Sequence, residues 1–120
     1  MTENNKINKK NIRPWGYYIN IAEGDGFLTK IIHVNPRGKL SVQSHKHRSE
    51  HWFVTKGSAE VLLNGKTYTL NIGSSLDIPR GAVHSIYNPS QNNLELIEIQ
   101  TGDILSEDDI IRYEDIYGRI

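Results

Sequence analysis

Three of the five histidines and one carboxylate fall within seven residues: His45, His47, Glu50 and His51. Imidazole and carboxylate groups at such short spacing are typical of metal ligands. If residues 40–47 form a strand, its side chains alternate between two faces, so Gln43, His45 and His47 point the same way. The pattern predicts that His45 and His47 form half of a metal site.

A second segment must supply the other half, and the next histidine is His84, which follows the turn Pro79-Arg80-Gly81. Glu50 and His51 compete for a fourth position because neighbouring residues on a strand face opposite ways, and Glu50 is favoured. Since the chain has no cysteine, the ligands must be nitrogen and oxygen atoms. Such a set suits one divalent ion, and it does not distinguish Zn, Mn, Fe, Co and Ni.

Short apolar runs separated by Gly and Pro turns predict an all-β fold, an antiparallel sandwich or small barrel. Asn64-Gly65 predicts a tight hairpin, because both positions of a type I′ turn tolerate positive φ. Ser106-Glu107-Asp108-Asp109 resembles a capping box and precedes two isoleucines. This predicts a short C-terminal helix over residues 107–113, with its acidic face in solvent.

The 120 residues are enough for one domain. Residues 1–12 are polar and predict a mobile tail, which leaves 13–120 as the domain. The 14 basic and 14 acidic residues balance, so neither nucleic acid nor an anionic membrane is the expected partner, and a small molecule is. Without a membrane-spanning run or the apolar region of a signal peptide, the expected location is the cytoplasm.

The second segment resembles the second motif of the cupin family: Gly, five residues, Pro-x-Gly, two residues, His, three residues, Asn. The matching residues are Gly73, Pro79, Gly81, His84 and Asn88. The first cupin motif fits less strictly, since six residues instead of five separate Gly38 from His45, and two instead of three or four separate His47 from Glu50. Six residues do separate Glu50 from Gly57, as in that motif. The resemblance implies a cupin-type double-stranded β-helix, or jelly-roll barrel.

A closer resemblance is to the type II mannose-6-phosphate isomerase cupin. It is carried by the sequence strings at residues 13–16, 43–52, 94–102 and 107–119. In that family the domain is often the C-terminal part of a bifunctional mannose-1-phosphate guanylyltransferase. The glycine-rich nucleotide loop of the transferase is absent, so guanylyl transfer would need a separate chain as partner. The implied activity is interconversion of mannose 6-phosphate and fructose 6-phosphate.

That activity implies a base and cations for the phosphate of the sugar phosphate, beside the metal. Glu98 is the candidate base, because Leu94, Leu96, Glu98 and Gln100 share one face of a strand that would run from core to mouth. In the alternative orientation Ile97 and Ile99 face the core and Glu98 faces water.

The candidate phosphate ligands are Arg13, Lys30 and Arg80, with Arg48 in reserve. Arg80 is preferred among them, as a catalytic residue, because it lies four residues before His84. The alternative is that Arg80 is an ordinary arginine in a solvated turn. Gln43 is a weak metal ligand or a substrate-binding residue. Trp52 is a candidate to stack on the sugar, unless it belongs to the core.

Two other functions are open. One is a non-catalytic module that binds a sugar phosphate or sugar nucleotide, and the other is a different metal-dependent cupin enzyme, a dioxygenase or an epimerase. A homodimer is expected, through residues 13–18 and exposed sheet edges.

Overall fold

In the computed structural model, residues 7–120 are described, and they form eleven β-strands and no helix. Accordingly, none of these residues belongs to a helix of the length and apolarity needed to cross a membrane. The strands are β1 (Lys10–Arg13), β2 (Gly16–Gly24), β3 (Phe27–Val34), β4 (Val42–Ser44), β5 (Arg48–Lys56), β6 (Ala59–Leu63), β7 (Lys66–Leu70), β8 (Ser75–Ile78), β9 (His84–Tyr87), β10 (Leu94–Gly102) and β11 (Ile111–Glu114).

The strands form two antiparallel sheets that face each other. The six-stranded sheet has the order β1-β2-β3-β10-β5-β8, and the five-stranded sheet has the order β11-β4-β9-β6-β7. From β3 onward the chain passes back and forth between the sheets, because β3, β5, β8 and β10 lie in the first and β4, β6, β9 and β11 in the second. This is a jelly roll that encloses a single interior. The predicted all-β double-stranded β-helix is confirmed.

Inward-facing side chains change from apolar to polar at one level of the barrel. On β10, Leu96 lies in the hydrophobic core, and Glu98 and Gln100 follow it on the same buried face. On the antiparallel neighbour β5, Val54 lies opposite Leu96 and Glu50 lies opposite Gln100. One end of the interior is therefore filled with hydrophobic side chains, and the other holds buried polar groups that need partners or a ligand.

The hairpin predicted at Asn64-Gly65 connects β6 and β7. Both residues have positive φ, 48° and 84°, as a type I′ turn requires. Leu63 pairs with Lys66 across the turn. The hairpin prediction is confirmed.

The N-terminal prediction is partly covered by the described residues. Residues 1–6 of the predicted tail 1–12 lie outside them. Lys10–Arg13, however, forms strand β1, which pairs with β2 in a register that sets Arg13 opposite Gly16. The six-stranded sheet thus begins three residues before the predicted domain boundary.

The short helix predicted over residues 107–113 is wrong. The backbone N–H of Asp109 donates to the Ser106 carbonyl, and the N–H of Asp108 donates to the Ser106 hydroxyl, both at 3.1 Å, but only a single turn results. Ile111–Glu114 then continues as β11 and pairs with β4. A helix of seven residues is marginal on its own, whereas the edge of β4 offers the backbone ready partners.

The turn before β11 is fastened to the loop that follows β4. The Asp109 carboxylate accepts hydrogen bonds from the backbone N–H groups of Lys46 and His47, both at 2.9 Å. Burial alone would raise the pKa of Asp109, but these backbone hydrogen bonds outweigh it and hold the pKa below its usual range. The C-terminal segment is thereby placed over the polar end of the barrel.

Candidate metal centre

Three buried side chains from separate strands meet at the polar end of the interior. His45 follows β4, Glu50 lies on β5 and His84 begins β9. One nitrogen or oxygen atom from each lies within 4.8 Å of the others. The Nε2 atoms of His45 and His84 are 3.2 and 3.9 Å from the Glu50 carboxylate. The register of β4 and β9, with Gln43 opposite His84, brings the two histidines together.

The other ring nitrogen of each histidine is bound to a backbone carbonyl. The Nδ1 atom of His45 lies 2.7 Å from the Asp109 carbonyl oxygen, and that of His84 lies 2.9 Å from the Ala82 carbonyl oxygen. A carbonyl only accepts, so each Nδ1 carries the proton and each Nε2 keeps a lone pair directed at the group. Burial lowers the pKa of His84, and burial together with the charge of Arg48 lowers that of His45 to about 4. Both rings are neutral near pH 7, the form that binds a metal.

Two donors hold the Glu50 carboxylate in place. Arg48 donates from Nε to Oε2 at 2.9 Å, and Trp52 donates from its indole nitrogen to Oε1 at 3.0 Å. His51, the competing candidate, faces the opposite side of β5, where its ring lies 2.6 Å from the Asp77 carboxylate. Alternation along β5 thus turns Glu50, not His51, toward the histidines.

The chemistry of this group fits a divalent metal ion. The Nε2 atom of His84 is buried and has no hydrogen-bond partner among the described residues. A buried acceptor without a partner costs about 1–3 kcal/mol, and a bound ion would satisfy it. Ligands at about 2.0–2.2 Å from one ion are themselves roughly 3–4 Å apart, which is the spacing observed around Glu50. Two neutral imidazoles and a carboxylate suit Zn, Mn, Fe, Co or Ni.

His47, predicted as a ligand, is not part of this group. Strand β4 ends at Ser44, so the alternation assumed for residues 40–47 does not continue to His47. The backbone at His47 is instead bound to the Asp109 carboxylate. The prediction extended a strand beyond its last residue.

Gln43 does lie beside the group and lines the same cleft, where its amide oxygen accepts a hydrogen bond from Ser41 at 2.9 Å. The position of Gln43 shows how this sequence matches the first cupin motif. Four residues separate His45 from Glu50, and six separate Glu50 from Gly57. His45 therefore occupies the place of the motif's second histidine, and Gln43 occupies the place of the first.

A cleft opens next to the group. Apolar walls come from Trp15, Ile32 and Leu40. Its charged lining comprises five cations and three carboxylates among the described residues: Arg13, Lys30, Arg48, Arg112, Arg119, Glu50, Glu98 and Glu107. The excess of positive charge favours an anionic ligand.

Glu98 lies on the cleft wall but outside the group of three. Its side chain is buried, and its two oxygens accept hydrogen bonds from the Trp52 indole at 3.0 Å and from the Gln100 amide at 2.7 Å. Burial, and after it the charge of Glu50, raises the pKa of Glu98 to about 7. Such a carboxyl can take up and release a proton near neutral pH. Of the two orientations considered for this strand, the inward one is observed.

Three of the four cations predicted to bind phosphate lie on the cleft wall: Arg13, Lys30 and Arg48. Arg80 does not line this cleft. It lies in an exposed turn after β8, beside His51 and Asp77. Closeness to His84 in sequence does not bring the Arg80 side chain to the cleft, so its predicted catalytic role has no support in the structure.

Trp52, predicted to stack on a sugar, is 1% exposed and does not line the cleft. Its indole N–H lies between the carboxylates of Glu50 and Glu98, at 3.0 Å from each. Its ring packs edge-on against His84, with 5.6 Å between centroids. Trp52 orients the acidic groups of the site and belongs to the core.

Three charged residues that line the cleft were missed: Glu107, Arg112 and Arg119. All three lie in or next to the tail that was predicted to form a helix with a solvated acidic face. The signal that would have found Arg112 is the alternation Ile111-Arg112-Tyr113-Glu114, which is typical of a strand. Arg112 lies opposite Gln43 in the pairing of β11 with β4.

A jelly roll with two histidines and a glutamate in its interior defines a cupin, and solved structures confirm the fold. The capsular polysaccharide assembling protein CapF from Staphylococcus aureus is similar over 89% of this chain and 32% of its own, with a TM-score of 0.75 and 16% identity. An RmlC-like cupin from Shewanella frigidimarina is similar over 84% of this chain and 87% of its own, with a TM-score of 0.73 and 17% identity.

Among cupins, the chain belongs to the mannose-6-phosphate isomerase C-terminal family, which it matches over residues 1–115. It is 47% identical over 108 residues, 90% of its length, to mannose-1-phosphate guanylyltransferase ManC of Salmonella typhimurium. It is 48% identical over 107 residues, 89% of its length, to alginate biosynthesis protein AlgA of Pseudomonas aeruginosa. The chain spans 22% of the length of each of these relatives. The family resemblance read from the sequence is confirmed.

We expect protein purified without chelator to retain about one divalent ion per chain after dialysis, and His84→Ala to lose it. The reason is that His84 supplies a buried lone pair with no other partner. Elemental analysis by inductively coupled plasma mass spectrometry measures the metal content. His47→Ala is the matched control, since it removes a neighbouring imidazole that lies outside the group. Metal loss from His47→Ala as complete as from His84→Ala would contradict this ligand set.

Proposed function

We propose that the chain is a metal-dependent aldose–ketose isomerase of a phosphorylated sugar, with mannose 6-phosphate and fructose 6-phosphate as its substrate pair. The observation that carries the proposal is the position of Glu98, a buried carboxylate outside the metal group that lines the same cleft. Membership of the mannose-6-phosphate isomerase C-terminal family supports the reaction. The excess of cations in the cleft supports a phosphorylated substrate.

Isomerisation of an aldose to a ketose moves one proton from C2 to C1 and a second proton from O2 to O1 through an enediol. A base must take the proton from C2 and return it to C1. A divalent ion held by His45, Glu50 and His84 would supply the Lewis acidity that stabilises negative charge on the reacting oxygens. Fixed cations must hold the phosphate so that C1 and C2 stay beside the base.

Glu98 suits the role of this base. In the metal-free protein, burial raises the pKa of Glu98 to about 7, which makes it a stronger base than an ordinary carboxylate. Trp52 and Gln100 each donate to one of its oxygens and fix the plane of the carboxylate. Arg48 is bound to Glu50 and to the Ser106 carbonyl, so it orients the metal group and is less available to the substrate.

Two alternatives belong to other classes of function. A non-catalytic module for a sugar phosphate or sugar nucleotide would use the same cations, and a dioxygenase or epimerase would use the same metal group. A binding module has no need for a buried carboxylate on the cleft wall, because burying it costs stability. The position of Glu98 therefore favours proton transfer.

The relatives also suggest partners. ManC is named a mannose-1-phosphate guanylyltransferase, and the chain spans only 22% of its length. The proposal therefore includes a guanylyltransferase as a partner of this domain. The cytoplasmic location expected from the sequence stays a prediction.

The metal-loaded protein is expected to convert mannose 6-phosphate to fructose 6-phosphate, measured with a coupled assay for the ketose phosphate. His84→Ala is expected to show no turnover, because the electrophile is lost. Binding of mannose 6-phosphate without turnover would refute the isomerase and leave the binding module. Consumption of oxygen during turnover would identify the dioxygenase.

Glu98→Gln keeps the shape of the side chain and one of its two acceptor oxygens but removes the base. We expect kcat to fall by about 10²- to 10⁴-fold, while KM for mannose 6-phosphate changes little. Glu95→Gln on the same strand is the matched control, because Glu95 does not line the cleft. A fall in kcat equal to that of Glu95→Gln would exclude Glu98 as the base.

The same variant has a second readout in the metal-free protein, its stability against pH. The pKa of Glu98 is raised in the folded state. The contribution of this group to the free energy of unfolding of the wild type is therefore greatest below about pH 4.5, and it is lost as the pH rises to about 7. The loss is about 3 kcal/mol at most. Urea unfolding at several pH values should show this slope in the wild type and not in Glu98→Gln. An equal slope in both proteins would place the titration elsewhere.

A further inference from the structure

The cations of the cleft differ in whether a carboxylate compensates them. Lys30 is paired with Glu107 at 2.7 Å and Arg48 with Glu50 at 2.9 Å. A third cation, Arg119, is paired with the Asp115 carboxylate at 2.7 Å. Arg13 and Arg112 form no ion pair with any of residues 7–120.

Arg112 is the more exceptional of the two. Its Nε atom is buried and lacks a hydrogen-bond partner among the described residues. It lies on β11 opposite Gln43, and Gln43 lies opposite His84, so one row across the five-stranded sheet leads from Arg112 to the metal group. A buried guanidinium N–H without an acceptor is costly. Its position at the cleft wall indicates that a ligand supplies the acceptor.

Arg13 is bound only to neutral groups. Its guanidinium donates to the Ile12 carbonyl at 2.8 Å and to the Tyr18 hydroxyl at 3.3 Å, and it lies 5.1 Å from the centre of the Tyr18 ring. These contacts hold the side chain at the cleft without neutralising its charge. Tyr18 therefore presents Arg13 to the interior of the cleft.

Arg13 and Arg112 lie on the two strands that border the cleft. β1 is the edge strand of the six-stranded sheet, and β11 is the edge strand of the five-stranded sheet. We propose that Arg13 and Arg112 form an anion-binding subsite that takes the phosphate monoester group of the substrate. This inference rests on the proposed function. It assigns phosphate binding to Arg13 and Arg112 instead of Lys30, Arg48 and Arg80. Guanidiniums from two sides suit a tetrahedral dianion, since each offers parallel N–H donors.

The test uses inorganic phosphate as the probe and metal-free protein, so that binding to a metal ion does not contribute. We expect Arg112→Gln and Arg13→Gln each to weaken phosphate binding about tenfold or more, measured by isothermal titration calorimetry or by ³¹P line broadening. Arg37→Gln, in the exposed turn after β3, is the matched control and should bind as the wild type does. Arg112→Lys keeps the positive charge but lacks the parallel N–H donors of the guanidinium. Its affinity for phosphate should therefore lie between those of the wild type and Arg112→Gln.

The outcomes separate this inference from the proposed function. Phosphate binding that depends on Arg13 and Arg112, in a protein without isomerase turnover, would support the subsite and refute the isomerase. An active isomerase whose KM for mannose 6-phosphate is unchanged in Arg112→Gln would overturn the subsite. Circular dichroism and thermal unfolding of each variant establish that it is folded.

Discussion

The buried carboxylate of Glu50 is the interaction on which the site depends. A charge in the interior is costly unless donors compensate it, and Glu50 has two neighbours that do so: the Arg48 guanidinium and the Trp52 indole N–H. Arg48 also lies 3.3 Å from His45 Nε2 and donates to the Ser106 carbonyl at 3.1 Å. One guanidinium thus ties the metal group to the C-terminal segment. The two neutral imidazoles complete a pocket whose remaining requirement is a positive ion between them and the carboxylate.

The fold limits the cost of this arrangement because it separates the apolar part of the barrel interior from the polar part at one level. Below that level the sheets pack as an ordinary hydrophobic core, which includes Val54 and Leu96. Above it the residues that follow on the same strand faces are Glu50, Glu98 and Gln100. The turn at residues 106–109 and β11 then cover the polar end. This cover and the two sheets together bury Glu98 and the histidines, and burial shifts their pKa values.

Strand alternation determined what the sequence could reveal. It placed Gln43 and His45 on one face, turned Glu50 inward and His51 outward, and put Glu98 on the face of Leu96, as the structure has them. It failed for His47 because a period of two is valid only while the strand continues, and no residue type marks the end of β4 at Ser44. The C-terminal strand was missed for another reason. Ser106 to Asp109 has the local pattern of a helix start, and its actual role depends on the edge of β4 and on the loop at residues 45–47, which are distant in sequence.

The edge strand β1 determines the position of Arg13. β1 has four residues and one neighbour, so by itself it is a weakly held edge. Its inward residue Arg13 borders the cleft, whereas Lys10 and Ile12 face outward, and Ile12 is 67% exposed. The position of Arg13 at the phosphate subsite therefore depends on the pairing of β1 with β2, in which Arg13 lies opposite Gly16, and on the Tyr18 hydroxyl that accepts from its guanidinium. Because Tyr18 lies on β2, one neighbouring strand supplies both the backbone pairing and the side-chain contact that hold Arg13 at the cleft.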